Sequence, residues 1–356
     1  MLKNVDTVFF GPMCGELGWS VSRWHAYCRF RRVTQFEHCR SIAVDYDWRY
    51  PLYSDFIDEF IPLPDWFIKL GLEQDCYEAV PPDSPPGSVT PTNVYMNLLE
   101  HCRQLYNPDT TWTIRPPRGY NLFIQFASQQ MWKNLEPSEQ AQAYADSLLF
   151  NASGDIVVVA GRARSRAPHR NVPEFIWSTL VDYLVTYGFT VVITGMRGSS
   201  ALVNKVGRNI INVIPRTGVD VLDVLIALLL RAKMSITSQS GPTLISLLCE
   251  TPSYIVGHET KRHSTDENWL KAAAMFRTVP NEMYNAVTAE AMMEDIVNFN
   301  MQLSEARAAV DLSYKRCYDL DKKTMLGLMV EQDINFVRID AKELQQEIIK
   351  HDRVSR

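Results

Sequence analysis

The chain has 356 residues, 46% of them apolar and 22% charged, which is enough length for two domains with separate cores and too much apolar content for a disordered chain. Its formal net charge of −5 excludes a whole-molecule electrostatic match to nucleic acid or to an anionic membrane. The seven cysteines, at positions 14, 28, 39, 76, 102, 249 and 317, are never closer than eleven residues, so neither a zinc ribbon nor a disulfide framework is indicated.

Cysteine usage of this kind suits a reducing compartment. The first apolar run, Val8-Phe9-Phe10, breaks at Gly11-Pro12 and is too short for a signal-peptide core. The longest apolar run, Val224 to Leu230, is far below the ~18 residues of a membrane span. The expectation is therefore a soluble cytoplasmic protein without a membrane span, of open oligomeric state.

In chain order, the first half reads as a strand over Thr7 to Phe10, a glycine loop, a helix over Trp19 to Arg32, a strand over Ile42 to Asp45 and an apolar strand over Leu122 to Phe126. The segment from Pro81 to Thr92, PPDSPPGSVTPT, reads as an exposed loop. A helix within Glu136 to Ser153, ending in NASGD, reads as the link to a second domain.

The second half alternates strand and helix. Strands are expected over Asp155 to Ala160, Phe189 to Gly195, Ile210 to Ile214, Met234 to Thr237 and Ser253 to Val256. Helices are expected over Pro173 to Tyr187, from Ser199, over Val219 to Ala232 and over Thr243 to Cys249. Such spacing is that of successive βαβ units, and near-continuous apolar strands agree with a parallel sheet covered on both faces. The organisation expected is an α/β domain over 1–150, a Rossmann-like α/β domain over 151–300 and a charged helical segment over 301–356.

Four constellations carry chemistry. After the strand ending at Thr237, the loop Ser238-Gln239-Ser240-Gly241-Pro242 leads into a helix near Thr243. Free N–H groups and hydroxyls at a helix start make an anion site suited to phosphate, and the loop leaves the carboxyl edge of the sheet, where ligands bind. An ordinary N-cap followed by a tight turn reads the same way from spacing alone.

The segment GRARSRAPHRN, Gly161 to Asn171, follows the first strand of the second half. It aims Arg162, Arg164, Arg166 and Arg170 at the same edge, and guanidinium groups give planar, permanently charged contacts to phosphate; a solvated charge run is the alternative. At the N-terminus, Gly15 and Glu16 stand at the mouth of the first sheet, followed by Trp19, Arg23 and His25. Glu16 is placed to act as a general base or merely to complement the helix dipole, and His25 is a rival base that more often reads as a satisfied surface histidine. Finally, His258 and Glu259 open the loop after the last strand, with Lys261, Arg262, His263 and Asn268 beyond. In HETKRH the histidines are five apart rather than four, so they diverge by roughly 140° on a helix and do not form a zinc-protease pair.

ALLLRAKMSITSQSGPTLISLLCETPSYIVG is similar to the C-terminal domain of GT-B glycosyltransferases, especially the heptosyltransferase-like group. The resemblance covers 155 to 300 well and the first 60 residues loosely. It implies two Rossmann-like doubly wound domains facing a cleft, 1–150 binding the acceptor and 151–300 the nucleotide sugar, with the C-terminal helical segment 301–356 packing back on the first. It also implies donor phosphates held by Ser238, Gln239, Ser240, Gly241 and Thr243, a leaving diphosphate balanced by Arg162 without catalytic metal or cofactor, and a donor sugar or base held by the His258 loop. The glycine loop resembles the GE/GD loops of that group, which implies that Glu16 takes the acceptor's proton. Gln239 stands where the family usually carries an acidic residue or asparagine, so the resemblance leaves the donor unnamed.

The implied activity is transfer of a sugar from a nucleotide-sugar donor to a hydroxyl acceptor, by default a glycan. Two alternatives remain open. Arg23, Arg29, Arg31, Arg32 and Arg40, opposed in sequence only by Glu37, form a basic island that would suit DNA carrying a hydroxylated base. A non-catalytic nucleotide-binding protein of the same fold is the other. Asp45 and Asp47 in VDYDW resemble the metal-binding acid pair of GT-A enzymes, but such triplets arise by chance. The chain has no dinucleotide-binding G-x-G-x-x-G, no Walker A motif and no nucleophile elbow.

Overall fold

A computed structural model describes residues 5–15, 17–70, 92–116, 135–164, 168–196, 198–214, 221–257, 274–278 and 287–310. Two parallel sheets organise them. The first has the order β3-β2-β1-β4, built from β1 (Thr7–Phe10), β2 (Arg40–Asp45), β3 (Glu59–Pro62) and β4 (Thr111–Ile114). The second has the order β10-β9-β8-β5-β6-β7, from β5 (Ile156–Ala160), β6 (Thr190–Ile193), β7 (Ile210–Asn212), β8 (Met234–Ser238), β9 (Ser253–Gly257) and β10 (Ala274–Thr278). Both belong to one compact unit, Met1–Phe299.

In the first sheet, Phe9, Ile42 and Val44 share a core with Phe67 of α3 (Asp65–Ile68) and with Tyr95, Leu98 and Leu99 of α4 (Thr92–Arg103). The expected helix over Trp19 to Arg32 is instead three pieces: α1 (Leu17–Trp19), a π-turn (Ser20–Trp24) and α2 (His25–Gln35). A 3-10 helix (Asp47–Leu52) follows β2.

The second sheet is doubly wound, with its order reversing between β5 and β8. Val159 of β5 lies between Ile193 of β6 and Ile236 of β8, and all three side chains are fully buried. Branched side chains fit a pleated surface covered on both faces, which is why these runs alternate so little. After α5 (Glu139–Leu149), the covering helix α6 (Glu174–Tyr187) follows Pro173 and ends on Gly188, whose φ of 108° is a left-handed conformation that glycine adopts without strain. Helix α7 (Val221–Leu229) is apolar nearly all round and buried from Leu222 to Leu229. It packs against α5, where the Ser138 hydroxyl donates to Asp223 Oδ2 at 2.6 Å.

Three expectations are corrected. Residues after Ser199 form turns, not a helix, because Ser200 is held in a bridge to Arg162. Strands β3, β4 and β10 are present where none was expected. His25 is completely buried rather than on the surface. The strand expected over Leu122 to Phe126, the loop over 81–91 and the segment 311–356 lie outside the described residues. Among those described, no helix is long and apolar enough to cross a membrane.

Candidate ligand site at the carboxyl edge of the second sheet

Strands β5 and β8 are adjacent in space although far apart along the chain, with Val157 standing opposite Met234. Their carboxyl ends flank the point where the sheet order reverses, the crevice in which open α/β sheets bind ligands. The two loops leaving these ends are stitched together there.

The Arg162 amide donates to Ser238 Oγ at 3.0 Å, and Arg170 Nη2 donates to the Gln239 carbonyl. Asn171 closes the arginine loop: its Oδ1 accepts from Arg162 Nη1 and, at 3.1 Å, from the Arg164 amide, while its Nδ2 donates to the Arg164 carbonyl at 2.8 Å. Arg162 is buried, and Arg164 and Arg170 are half-buried. A third loop, after β6, joins from the other side, with the Ala163 amide donating to the Ser199 carbonyl at 2.9 Å and the Ala201 amide to the Gly161 carbonyl at 3.0 Å.

The polar run before α8 (Gly241–Leu248) holds itself in place. Thr243, fully buried, donates through Oγ1 to the Ser238 carbonyl at 2.6 Å, lies 2.9 Å from Thr237 Oγ1 and accepts from the Ser240 amide at 3.3 Å. The Ser240 hydroxyl donates to the same Ser238 carbonyl at 3.0 Å. Gln239 is buried, with its amide donating to the Val256 carbonyl at 2.8 Å and its side chain against Gly257.

The capping reading of this stretch is met by its hydrogen bonds. Thr243 and the amide of Ser240 serve as a cap, and Pro242 supplies no N–H, so the helix start offers fewer amides than its sequence suggests. Ser240 and Gly241 stay half-buried there, next to the Ser238 and Gln239 contacts made by Arg162 and Arg170.

The glycine loop of the first sheet reaches this cradle. A Cβ on Gly241 would lie 3.1 Å from Leu17 Cδ2, so the close approach of α1 to α8 depends on a residue without a side chain there. Gly15, two residues before Leu17, is buried, and its carbonyl accepts from Arg49 Nη2 at 2.8 Å. Glu16, Arg166, His258 and Glu259 are outside the described residues, as are the side chains of Trp19 and Arg23.

His25 stands apart. Its Nδ1 is 3.0 Å from the Ser20 carbonyl, which fixes a proton on Nδ1, and burial, reinforced by the Arg29 charge, lowers its pKa to about 3. It is a neutral core histidine, sealed from an acceptor. The Asp45 carboxylate, too, is turned inward onto protein donors. Its Oδ1 accepts from Arg49 Nη1 at 3.0 Å and the Tyr46 amide at 2.8 Å, and its Oδ2 from Tyr53 Oη at 2.6 Å and Ser20 Oγ at 3.1 Å, filling the carboxylate.

Three arginines of the basic island meet acids in three dimensions. Arg29 makes a two-armed contact with Asp55 at 3.1 and 2.7 Å and stacks on Phe56; Arg32 pairs with Asp58 and Arg40 with Glu59. Arg31 donates to Tyr27 Oη at 2.8 Å. The acids lie 19 to 26 residues downstream, out of view of a local charge count.

No family model and no curated protein matches the chain. Solved structures do. The ADP-heptose heptosyltransferase II of E. coli is 15% identical with a TM-score of 0.55, over 84% of this chain and 99% of that one. A glycosyl transferase of family 9 from Veillonella parvula is 13% identical with a TM-score of 0.54, over 83% and 97%. The E. coli heptosyltransferase WaaC, solved with ADP-2-deoxy-2-fluoro heptose, is 13% identical with a TM-score of 0.50, over 82% and 99%. The fold is that of the GT-B glycosyltransferases. In GT-B terms, the cradle of β5, β8 and α8 lies in the second of the two Rossmann-like halves, and the glycine loop after β1 in the first.

The residues that sequence reasoning missed are Asn171, Leu17 and Arg49. Asn171 closes the very segment in which the arginines draw attention, and an asparagine ending an arginine-rich loop is the available signal. Leu17 and Arg49 offer none, because their roles depend on partners brought in from elsewhere in the chain.

Proposed function

We propose that the protein is a glycosyltransferase that takes a sugar from a nucleotide diphosphate donor and passes it to a hydroxyl acceptor. The observation that carries this reading is the Arg162 amide bonded to Ser238 Oγ, which sets an arginine loop and a serine-glycine helix start side by side at the switch point of the second sheet. An arginine-rich loop joined to a helix N-terminus, with the Arg170 guanidinium on the Gln239 carbonyl, favours an anion of high charge, and a diphosphate fits. That two GT-B neighbours carry ADP-heptose or its fluoro analogue in their names supports an ADP-linked sugar as the first donor to try.

In the proposed reaction the acceptor hydroxyl attacks the anomeric carbon, its proton passes to Glu16, and the bond from that carbon to the diphosphate oxygen breaks. Arg162, Arg164 and Arg170 offset the charge left on the diphosphate, with Ser238, Ser240, Gly241 and Thr243 shaping its seat, and no metal is required in this scheme. Gln239 acts through its backbone; His258 and Glu259 are assigned to the donor's sugar or base. Gly15, Trp19 and Arg23 belong to the acceptor side. A glycan acceptor is preferred to DNA, since Arg29, Arg32 and Arg40 each have a carboxylate partner. The free thiols of Cys14, Cys28, Cys39, Cys102 and Cys249 suit a cytoplasmic setting.

A thermal-shift screen of nucleoside diphosphates and nucleotide sugars tests the reading, because a ligand bound only by the native state raises its stability by about 2.7 kcal/mol at a hundredfold excess over Kd. A shift with ADP or another nucleoside diphosphate is expected. Silence across the whole panel would sink the proposal. Glu16→Gln tests the base: donor binding retained with transfer lost supports the enzyme, full transfer defeats the assignment of Glu16, and donor binding with no transfer even by the unsubstituted protein marks a non-catalytic binder.

A further inference from the structure

Downstream of β2 lies Asp45-Tyr46-Asp47-Trp48-Arg49, a stretch the proposed reaction leaves unused. Arg49 is 1% exposed, one of the largest fully buried side chains of the protein. One arm of its fork, Nη1, reaches Asp45 Oδ1 at 3.0 Å, and the other, Nη2, reaches the Gly15 carbonyl at 2.8 Å. The guanidinium carbon lies 4.5 Å from the ring centre of Tyr46 and 4.7 Å from that of Trp48. Beside it, Tyr46 Oη donates to the Cys14 carbonyl at 3.3 Å.

The carboxylate is held in turn. Tyr53 and Ser20 donate to its far oxygen, so a single ion pair ties the 3-10 helix, the π-turn and the loop after β1 into one cluster. A buried ion pair is at best break-even for stability against apolar residues of equal volume. Its distinctive property is direction, since the planar fork holds one arm on Asp45 and aims the other at a particular carbonyl. Beyond that carbonyl, Leu17 packs on Gly241 of the cradle, and the 3-10 helix that carries Arg49 packs on α7, the helix leading into β8.

We infer that Arg49 is a positioning residue for the transfer reaction: clamped by Asp45, it holds the Cys14-Gly15 turn so that the loop containing Glu16 keeps its register against the donor cradle. The inference rests on the reading of Glu16 as the base. Arg49 touches neither donor nor acceptor and acts only through the loop.

The test uses the full-length Arg49→Lys variant, which keeps the charge but lacks the rigid fork. Hydrogen exchange in the peptide spanning Met13 to Leu17 is expected to quicken about tenfold, with the amides of β5 and β8 unchanged. ADP affinity is expected to stay within about twofold, while nucleoside diphosphate release from ADP-heptose loses about tenfold or more in kcat with little change in KM, as a misplaced catalytic group predicts. In a Glu16→Gln background the same change should cost nothing further, because the two residues act in series.

Unchanged exchange in the Met13 to Leu17 peptide overturns the inference whatever the donor. So does a loss of ADP binding in step with kcat, which would mark a general structural role. Glu16→Gln with full turnover defeats the base reading instead, and leaves the exchange result to judge the clamp. Should Arg49→Lys fail to fold, Asp45→Asn neutralises the carboxylate that clamps Arg49 while keeping its shape. Faster exchange confined to the same peptide supports the clamp there, and none refutes it.

Discussion

Two loops, one at the carboxyl edge of each sheet, are held in opposite ways. The loop after β1 is gripped from outside, by the buried Arg49 guanidinium and the Tyr46 hydroxyl, both from the stretch that follows β2. The loop after β8 is gripped from within, by hydroxyls of its own neighbourhood that return to the Ser238 carbonyl. Charge with long reach serves the first, whereas the second adds short hydroxyls of its own to the Arg170 contact on the Gln239 carbonyl. A loop that must meet a second half of the molecule needs a distant anchor, whereas a helix start can cap itself.

The comparison predicts a steep gradient in the cost of mutation. Asp45→Ala should be the most damaging, since it leaves the Arg49 charge buried and unpaired; a loss of about 3–5 kcal/mol is expected in urea unfolding. A loss below about 1 kcal/mol would mean that the clamp is not electrostatic.

His25 sharpens the same side of the comparison through pH. Because its folded pKa, about 3, lies below the unfolded value of 6.5, the unfolded chain binds the extra proton between these limits. Its contribution is thus complete above pH 6.5 and falls as the pH drops, by about 2 kcal/mol at pH 5 at 1.36 kcal/mol per unit. Denaturation measured at pH 7 and pH 5 checks this, and His25→Phe should flatten the difference.

On the self-capped side, Thr243→Val removes the hydroxyl that accepts from the Ser240 amide and should cost about 1 kcal/mol by the same unfolding assay. Arg32→Ala should matter least. Its pair with Asp58 spans 3.4 Å and the carboxylate is half exposed, so a change under about 1 kcal/mol, vanishing at high salt, is expected. A larger effect there would reopen the question of what the basic island does.

The second sheet is the more legible in sequence because its strands are buried on both faces. Val157 to Ala160 and Val191 to Ile193 announce themselves as apolar runs. Strands β4 and β10 lie at sheet edges, where TWTI and AMFRT bury only part of their length and carry no such run. The turns after Ser199 read as a helix because the pairing of Ser200 with Arg162 has no local signature. Of the site, the arginine loop and the helix start are visible as residue types, but not their contact, since Arg162 and Ser238 are 76 residues apart.

By itself the sequence determined the α/β class, the alternation of the second half and which loops could carry an anion, because these follow from local periodicity and from residues that cap, turn or hold charge. Tertiary structure alone decided that β5 and β8 are neighbours, that Arg29, Arg32 and Arg40 of the basic island meet acids from another segment, that His25 is sealed and neutral, and that the Asp45 carboxylate is filled by Arg49, Tyr46, Tyr53 and Ser20. Each of those depends on which distant group fills a side chain's hydrogen bonds or removes its water, and that is a property of packing in space rather than of order along the chain.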